Sequence, residues 1–196
     1  MIISVMNLKG GVGKSSISFQ LAQFFKLKMI TNDANTGIMN IKILKGNSSI
    51  EVNEDRLYDF GGFDDIRIHE VLASSNVVVV PTLYSRADLQ NTVRTVRKVK
   101  KLNPEANIIV TINRVRSGDS KQLNSAKASL EKYIDFGVQY CQIRDSKVML
   151  HSLDSGKSIF DIHKSSKLNR HVYTGIINDF YALIGHIEEF IDDGKN

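Results

Sequence analysis

A short segment near the beginning of the chain combines lysine, glycine and serine at a spacing that suits phosphate binding. It follows the apolar run Ile2–Met6 and precedes Ser16–Lys26, where apolar residues recur at helical spacing. Glycine lets the backbone bend so that successive N–H groups point inward, and the positive end of a following helix also attracts anions. The order of strand, glycine loop and helix therefore predicts a polyphosphate site. The segment consists of Lys9, Gly10, Gly11, Val12, Gly13, Lys14 and Ser15.

Two side chains of this loop can act directly on a bound polyphosphate. In phosphate-loop NTPases the loop lysine reaches the β- and γ-phosphates, and the next hydroxyl residue binds Mg²⁺. Lys14 and Ser15 occupy these positions. We therefore expect Lys14 to be catalytic, Ser15 to bind the metal, and the backbone from Gly10 to Ser16 to hold the phosphates.

The loop departs from the general phosphate-loop pattern at its first position. The pattern Gly-x-x-x-x-Gly-Lys-Ser/Thr requires glycine where Leu8 stands, and Lys9 is an additional lysine. This deviant form resembles the ParA/MinD family of ATPases, and Lys9 is similar to the family's signature lysine. The resemblance implies ATP and Mg²⁺ as cofactors. It also implies a homodimer in the ATP state, in which Lys9 crosses the interface to the nucleotide held by the other subunit.

The segment Thr31–Asn35 resembles the family's Asp-x-Asp-Pro-Gln motif in one of two registers. If Asp33 is the first aspartate, Thr31 and Asn32 must lie inside a buried parallel strand. If Asp33 is the second, the apolar residues of Leu27–Ile30 fill the strand and fewer polar groups are buried, so we prefer this register. Thr31 then stands where the family has its first aspartate. The resemblance implies that Asp33 orients the attacking water.

A second acidic motif is similar to the segment Arg56–Gly62. In the family, a strand delivers an aspartate toward the Mg²⁺ shell, next to a glycine that senses the γ-phosphate. The resemblance assigns the aspartate to Asp59 and the glycine to Gly61 or Gly62. The strand before Asp59 is weak by pattern, because residues 54–56 are all charged.

Two later segments also resemble family motifs. Asn113 follows the strand candidate Asn107–Ile112, and in the family a polar residue at this strand end contacts the adenine. Arg144–Lys147 and the glycine at Gly156 are similar to a late family signature, a basic turn followed by a short helix and a glycine.

Basic residues cluster at two places and are candidates for binding DNA. The predicted helix Ser85–Lys101 carries four cations on one face without balancing acidic residues, although a solvated helix face is an equal alternative. A second group precedes the last helix, where relatives use basic residues to hold DNA without reading its sequence. The candidates are Arg94, Arg97, Lys98 and Lys101 in the first group, and Lys157, Lys164, Lys167 and Arg170 in the second.

Strand and helix patterns alternate along the chain. Val77–Pro81, with four consecutive valines, is typical of a buried parallel strand that ends at the proline. Another strand is predicted at Val138–Ile143, and helices at 64–74, at 122–135 and from about Asn169 onward. This alternation predicts an α/β protein. We expect one domain, residues 1–196, with a doubly wound, mainly parallel sheet, helices on both faces and the nucleotide at the carboxyl ends of the strands.

The composition excludes several classes of protein. The chain has 196 residues and a net charge of +5, which is a mild bias toward polyanions. Its single cysteine, Cys141, permits no internal disulfide, and its five histidines lack metal-ligand spacing. No apolar stretch approaches the roughly 20 residues of a membrane span. We therefore expect a cytoplasmic protein without a membrane partner.

The resemblance is strongest to the small, ParF-like plasmid-partition branch of the family, since no helix-turn-helix segment precedes the loop. It implies a DNA-partition ATPase, in which an ATP-sandwich dimer binds nonspecific DNA on the nucleoid. A small centromere-binding adaptor, similar to ParB or ParG, would stimulate its weak ATP hydrolysis. A MinD-like positioning ATPase and a dethiobiotin synthetase-like metabolic enzyme stay open as alternatives. The MinD-like ATPase would need a basic amphipathic tail, whereas residues 188–193 include four acidic residues.

Overall fold

The computed structural model of the chain describes residues 1–33, 38, 41–44, 50, 52, 54–61 and 67–193. The strands among these residues are β1 (Ile2–Met6), β2 (Lys28–Thr31), β3 (Lys42–Ile43), β4 (Arg56–Phe60), β5 (Val77–Thr82), β6 (Asn107–Val115) and β7 (Gln139–Arg144). They form one sheet in the order β3-β2-β4-β1-β5-β6-β7, and every neighbouring pair is parallel.

The centre of the sheet is formed by β4, β1 and β5, and every residue of these three strands is buried. Parallel strands covered on both faces need nearly continuous apolar sequence, which β1 and β5 have. β4 is the exception, since it begins with Arg56 and contains Asp59. Arg56 forms an ion pair with Glu54 just outside the strand, and Asp59 lies near the carboxyl end. The charges that weakened the strand pattern, residues 54–56, thus lie before β4 or at its first residue.

Helices cover both faces of the sheet. Along the chain they are α1 (Lys14–Phe25), α2 (Arg67–Ala73), α3 (Arg86–Leu102), α4 (Ser120–Tyr133), α5 (Val148–Ser155), α6 (Ile159–Lys164) and α7 (Lys167–Asp193). Side chains of α1, α5, α6 and α7 pack in one apolar cluster with Val5 and Val79. Those of α2, α3 and α4 pack in a second cluster with Val78 and Val80, which point to the other face. The predicted α/β class with a doubly wound parallel sheet is therefore confirmed.

One predicted boundary was wrong, because β5 continues through Pro81 to Thr82. Pro81 pairs with Thr111 of β6 on one side. On the other side the ladder with β1 already ends at Val79. The proline's missing N–H therefore removes no hydrogen bond from the sheet, which is the condition under which a strand tolerates proline.

The last helix begins earlier than predicted and extends beyond the sheet. Residues of α7 between Ile176 and Ile187 pack in the apolar cluster. Gly175, one residue before this buried stretch, lies beside Arg144 at the carboxyl end of β7. The first two turns of α7, from Lys167, therefore project past the carboxyl edge of the sheet, the edge where a ligand of a doubly wound fold is expected.

Candidate nucleotide-binding site

The loop between β1 and α1 has the backbone bends that its glycines permit. Gly11 and Gly13 have φ angles of 77° and 94°, in the left-handed region that favours glycine. α1 begins at Lys14, directly after Gly13, and the Ile17 N–H donates to the Gly13 carbonyl at 3.1 Å. The N–H groups of the first turn before Ile17 have no carbonyl partner within the helix, so they can receive an anion.

A cleft of about 340 Å³ opens beside this loop at the ends of β2 and β4. It brings together predicted site residues from three separate segments, the phosphate loop with the start of α1, the end of β2 and the end of β4. Val12, a residue of the loop, is fully buried and does not line the cleft. The lining residues are Gly10, Gly11, Gly13, Lys14, Ser15, Ser16, Asp33, Asp59, Gly61 and Arg114.

The two lysines of the loop have different positions. The Nζ of Lys14 donates to the Lys9 carbonyl at 3.0 Å and lies at the cleft. Burial lowers the pKa of Lys14, and the negative charges of Asp59 and Asp33 partly offset this effect. The Lys9 residue is exposed and does not line the cleft of its own chain. Of the two loop lysines, Lys14 is thus the one placed at the phosphate cleft of its own subunit.

Asp59 is the buried carboxylate of the cleft, with only 2% of the residue exposed. The Ser18 hydroxyl donates to Asp59 Oδ1 at 3.1 Å, and the Ser15 hydroxyl also hydrogen bonds this carboxylate. Burial raises the pKa of Asp59, whereas the two serine hydrogen bonds and the charge of Lys14 act against that rise. Carboxylate and hydroxyl oxygens are hard donors of the kind that Mg²⁺ prefers. Ser15 and Asp59 therefore fit the predicted metal.

Polar side chains also connect the ends of β2 and β4. Thr31 is fully buried, pairs with Asp59 in the ladder, and its hydroxyl accepts the Asp33 N–H at 3.1 Å. Asn32 lies beyond the strand, and its side-chain oxygen accepts the Gly61 N–H at 2.8 Å. β2 thus contains Thr31 but not Asn32, and the register of Asp33 stays a prediction.

The roles assigned to Asp33 and to the sensing glycine stay predictions. Ala34, Asn35 and Gly62 lie outside the described residues. The Gly61 N–H is bonded to Asn32, so it would have to exchange that partner in order to meet a phosphate.

Asn113 lies near the carboxyl end of β6 and hydrogen bonds the phosphate loop. It is 5% exposed, and its Nδ2 donates to the Val12 carbonyl at 2.9 Å. Its Oδ1 accepts the N–H of Arg114 at 2.9 Å. A Cβ on Gly13 would lie 2.1 Å from the Asn113 amide nitrogen. The contact with adenine stays a prediction, while the structure shows Asn113 holding the loop.

A second cavity of about 570 Å³ continues from the first, since Gly13, Ser16 and Arg114 line both. Its walls come from the ends of β6 and β7 and the start of α5, the place where a base and sugar would follow the phosphates in this cleft. Sequence reasoning noted these basic segments but did not assign them to a cavity. The remaining lining residues are Asn113, Arg116, Arg144, Asp145, Ser146, Lys147, Met149 and Leu150.

Arg144 is held at this cavity by α7. Its Nε and Nη2 donate to the two carboxylate oxygens of Asp179 at 2.7 and 2.9 Å, and its backbone N–H adds a bond of 2.9 Å. A Cβ on Gly175 would lie 2.2 Å from Arg144 Nη1, so glycine leaves the space that the guanidinium fills. Half of the Arg144 side chain stays exposed to solvent.

The two groups of residues predicted to bind DNA lie on opposite faces of the sheet. Arg94, Arg97, Lys98 and Lys101 belong to α3, and Arg97 donates to the Tyr133 carbonyl at the end of α4 at 2.9 Å. In the second group, Lys167 and Arg170 lie on the projecting turns of α7. All four cations of this group, Lys157, Lys164, Lys167 and Arg170, are exposed, and none forms an ion pair within the described ranges.

Sequence reasoning missed three polar residues that organise the cleft. Ser18 holds Asp59, Asn32 holds Gly61, and Asn7 holds the loop entry. The available signal for Ser18 was its position one helical turn after Lys14 and Ser15. For Asn7 the signal was an amide directly after a wholly apolar strand, where a buried polar group needs partners.

The fold and the cleft define a nucleotide-binding protein of the phosphate-loop type. The chain belongs to the CobQ/CobB/MinD/ParA nucleotide-binding domain family, whose model matches residues 3–159. This confirms the resemblance to the ParA/MinD family, and it supports binding of a nucleotide with Mg²⁺ and ATPase activity as the general activity of the family. No curated protein sequence matches this chain.

Solved structures of the same fold cover nearly the whole chain. A McdA–ATP complex from Cyanothece superposes with a TM-score of 0.69 at 13% identity, over 98% of this chain and 96% of that chain. MinD from Aquifex aeolicus gives 0.66 at 13% identity, over 94% and 96%. A plasmid partition protein from Borrelia burgdorferi gives 0.53 at 16% identity, over 79% and 96%. At these identities the likeness establishes the fold.

Two further features bear on the expectations from composition. The part of the chain that the structure describes contains no cluster of three or more histidine, cysteine or acidic residues able to hold a metal ion. No helix in the described ranges combines the length and the apolar composition needed to cross a bilayer.

Proposed function

We propose that this chain is an ATP-dependent DNA-partition ATPase, whose ATP-bound homodimer binds nonspecific DNA and is stimulated by a small centromere-binding adaptor. The observation that carries this proposal is the pair of loop lysines. Lys14 lies at the cleft of its own chain, and Lys9 is exposed beside it. A cation in that position has no phosphate of its own subunit to bind, and a second subunit facing the loop would supply one.

The residues of the cleft have complementary roles in this proposal. Lys14 and the N–H groups at the start of α1 bind the β- and γ-phosphates. Ser15 and Asp59 hold Mg²⁺, which supplies positive charge between the phosphates and favours the ionised carboxylate of Asp59. Asp33, which also lines the cleft, orients the attacking water.

The subunit interface would form at the carboxyl edge of the sheet, where it would cover the phosphate cleft of each subunit. Two apolar side chains on the projecting turns of α7 support this position, since Leu168 and Val172 are 69% and 57% exposed. Exposed apolar side chains close together are typical of surfaces that a partner covers. Leu150, at the wall of the second cavity, is 66% exposed as well.

The second basic group is the better candidate for the DNA surface. Its cations are exposed and form no ion pair with the acidic residues that the structure describes, and Lys167 and Arg170 lie at the same edge of the sheet as the cleft. Dimerisation at this edge would bring two copies of the group near one another, which makes DNA affinity depend on ATP. The α3 group would form a second contact at most, since Arg97 is bonded to α4. The protein would then act in the cytoplasm, associated with the nucleoid.

The first experiment tests the role of Lys9. In Lys9→Ala we expect the isolated subunit to bind nucleotide as the wild type does, because Lys9 does not line its own cleft. ATP-dependent dimerisation, measured by light scattering, and ATP-dependent DNA retention should both be lost. Lys121→Ala, which removes an exposed lysine from α4, is the matched control. Unchanged dimerisation and DNA binding in Lys9→Ala would refute the proposal.

The second experiment measures ATP turnover and DNA retention together, with and without candidate partners encoded beside the gene. Each phosphate contact contributes a slope of about −0.9 to log affinity against log salt concentration. Lys167→Ala combined with Arg170→Ala removes two cations from each subunit, or four from the dimer, and should therefore reduce the slope by about 3.6. The pair Lys121→Ala and Lys132→Ala removes the same charge from α4 and should leave the slope unchanged. Turnover that ignores both DNA and partner would favour a metabolic enzyme of this fold.

A MinD-like positioning ATPase is the alternative that the fold also supports, since MinD of Aquifex aeolicus superposes with a TM-score of 0.66, against 0.53 for the Borrelia partition protein. Flotation of the protein with anionic vesicles in ATP and in ADP separates the two functions. ATP-dependent flotation would favour the MinD-like function, and DNA retention without flotation would favour partition.

A further inference from the structure

Asn7, the residue between β1 and the phosphate loop, is completely buried, and both N–H groups and the oxygen of its side-chain amide are hydrogen bonded. Its Nδ2 donates to the Pro81 carbonyl at 2.8 Å and to the Thr92 hydroxyl at 3.1 Å. Its Oδ1 accepts the Lys9 N–H at 2.9 Å. An amide that is fully partnered in a buried position has one orientation only, because any rotation would leave a buried polar atom unpaired.

Two threonines of α3 complete this arrangement, and both use their single proton inside the helix. Thr92 donates to the Asp88 carbonyl at 2.9 Å, and Thr95 donates to the Asn91 carbonyl at 2.7 Å. Their oxygen lone pairs are therefore left to accept from the loop side. Thr92 accepts from Asn7, and Thr95 accepts the Leu8 N–H at 3.1 Å. Both threonine residues are completely buried.

We call Asn7, Thr92 and Thr95 the loop-entry network. It separates Leu8 and Lys9 from the part of the loop that faces a phosphate. The N–H groups of Leu8 and Lys9 are turned into the protein by this network, so they are not offered to a phosphate. The Lys9 carbonyl accepts from Lys14, which fixes the same peptide segment from the other side. The Lys9 side chain thus starts from a backbone held on both sides and extends into solvent.

We propose that Asn7 and Thr95 are positioning residues that aim Lys9 away from its own cleft and toward the nucleotide of a second subunit. This inference rests on the proposed function, because it needs the ATP-bound dimer in which Lys9 acts. The network also connects this action to α3. Arg94 is the neighbour of Thr95 on the helix, so a contact that shifts the outer face of α3 also shifts the acceptor of the Leu8 N–H.

The test removes one acceptor without changing the shape of the side chain. Thr95→Val keeps the volume and loses the hydroxyl, whereas Thr95→Ser keeps the hydroxyl. Two such networks are lost in a homodimer, so we expect the dissociation constant of the ATP-bound dimer to rise about tenfold or more in Thr95→Val. The affinity of the isolated subunit for a fluorescent ADP analogue should stay within about twofold of the wild type, because the phosphate-facing part of the loop is unchanged. Thr95→Ser should restore dimerisation.

Hydrogen exchange in the nucleotide-free protein gives an independent readout. A peptide that covers Leu8 and Lys9 should exchange faster in Thr95→Val than in the wild type, and Thr95→Ser should restore the slower rate. Unchanged exchange, unchanged dimerisation, or an equal loss of ADP binding and dimerisation would each overturn the inference. If the wild type does not dimerise with ATP, the proposed function is refuted. If the wild type and Thr95→Val dimerise equally, the inference about Thr95 is overturned and the proposed function is not.

Discussion

The two halves of the cleft are built in different ways. In the phosphate half, beside β1, β2 and β4, the polar groups Asn7, Thr31 and Asp59 are buried, and each accepts a hydrogen bond from the loop or helix beside it. In the second half, beside β6 and β7, the charged groups lie at the surface. Arg116 and Asp145, for example, are 3.6 Å apart with side chains 75% and 47% exposed.

This difference predicts which half tolerates change. A buried polar group must keep its partners, because an unsatisfied one costs about 1–3 kcal/mol. An exposed ion pair is worth about 0–1 kcal/mol, since water and salt replace it readily. The phosphate half should therefore be rigid and sensitive to single atoms, and the second half should adapt. Two glycines, Gly13 and Gly175, test this directly, because a Cβ on either would overlap a side chain.

Gly13→Ala should have the largest effect. The new Cβ would lie 2.1 Å from the amide of the buried Asn113, at a φ of 94° that alanine rarely adopts. We expect a loss of about 2–4 kcal/mol in the free energy of unfolding, from backbone strain and overpacking together. Nucleotide binding, measured by titration with a fluorescent analogue, should be abolished. A variant that binds nucleotide normally would show that the loop is not held rigidly by Asn113.

Asp59→Asn should have an intermediate effect that depends on pH. Burial raises the pKa of Asp59 in the folded chain, so the wild type loses stability as the pH rises through that folded-state pKa. The amide variant carries no buried charge and can still accept from Ser18. Its melting temperature should exceed that of the wild type near neutral pH, and the difference should shrink as the solution becomes acidic.

The same variant should bind the nucleotide more weakly in the presence of Mg²⁺, by about tenfold or more, because the metal loses a carboxylate. Nucleotide titrations with Mg²⁺ and with EDTA measure this loss. Equal weakening in both conditions would argue against a metal role for Asp59.

Gly175→Ala should have the smallest effect, although its Cβ would approach Arg144 Nη1 to 2.2 Å. Arg144 is half exposed and can swing into solvent, at the expense of its contact with Asp179. Alanine within a helix gains about 0.5–1 kcal/mol over glycine. The net change in unfolding free energy should thus stay within about 1 kcal/mol, and nucleotide affinity within about threefold. A large destabilisation would mean that the side chain of Arg144 is held as rigidly as that of Asn113.

The sequence predicted the loop, the α/β class and the meeting of Lys14, Ser15, Asp33 and Asp59 at one edge. These follow from local patterns and from a general rule, since the carboxyl ends of parallel strands share one edge. The partners of Asn7 and Leu8 on α3 could not be predicted in this way. Thr92 and Thr95 are more than 80 positions away along the chain, and only the packing of α3 brings them to the loop.

The sequence likewise could not predict that the two basic groups lie on opposite faces of the sheet. Each group has the same local character, a run of unbalanced lysine and arginine residues. The side of the sheet on which a helix packs depends on the direction of its crossover, which is not encoded in the charges themselves. For the same reason the end of β6 and the turn Arg144–Lys147 gave no sign that they enclose one cavity.

The position of β1 at the centre of the sheet has a consequence for how the chain reaches this structure. β1 leaves the ribosome before both of its neighbours in the sheet, which begin only at Arg56 and Val77. Neither edge of β1 can form its ladder of hydrogen bonds until these distant segments are present. Pairings over such separations form slowly. An apolar strand with two open edges is prone to aggregate during that interval. The rate of folding of this protein should therefore depend on how fast residues up to Thr82 are delivered, long before the nucleotide cleft is complete.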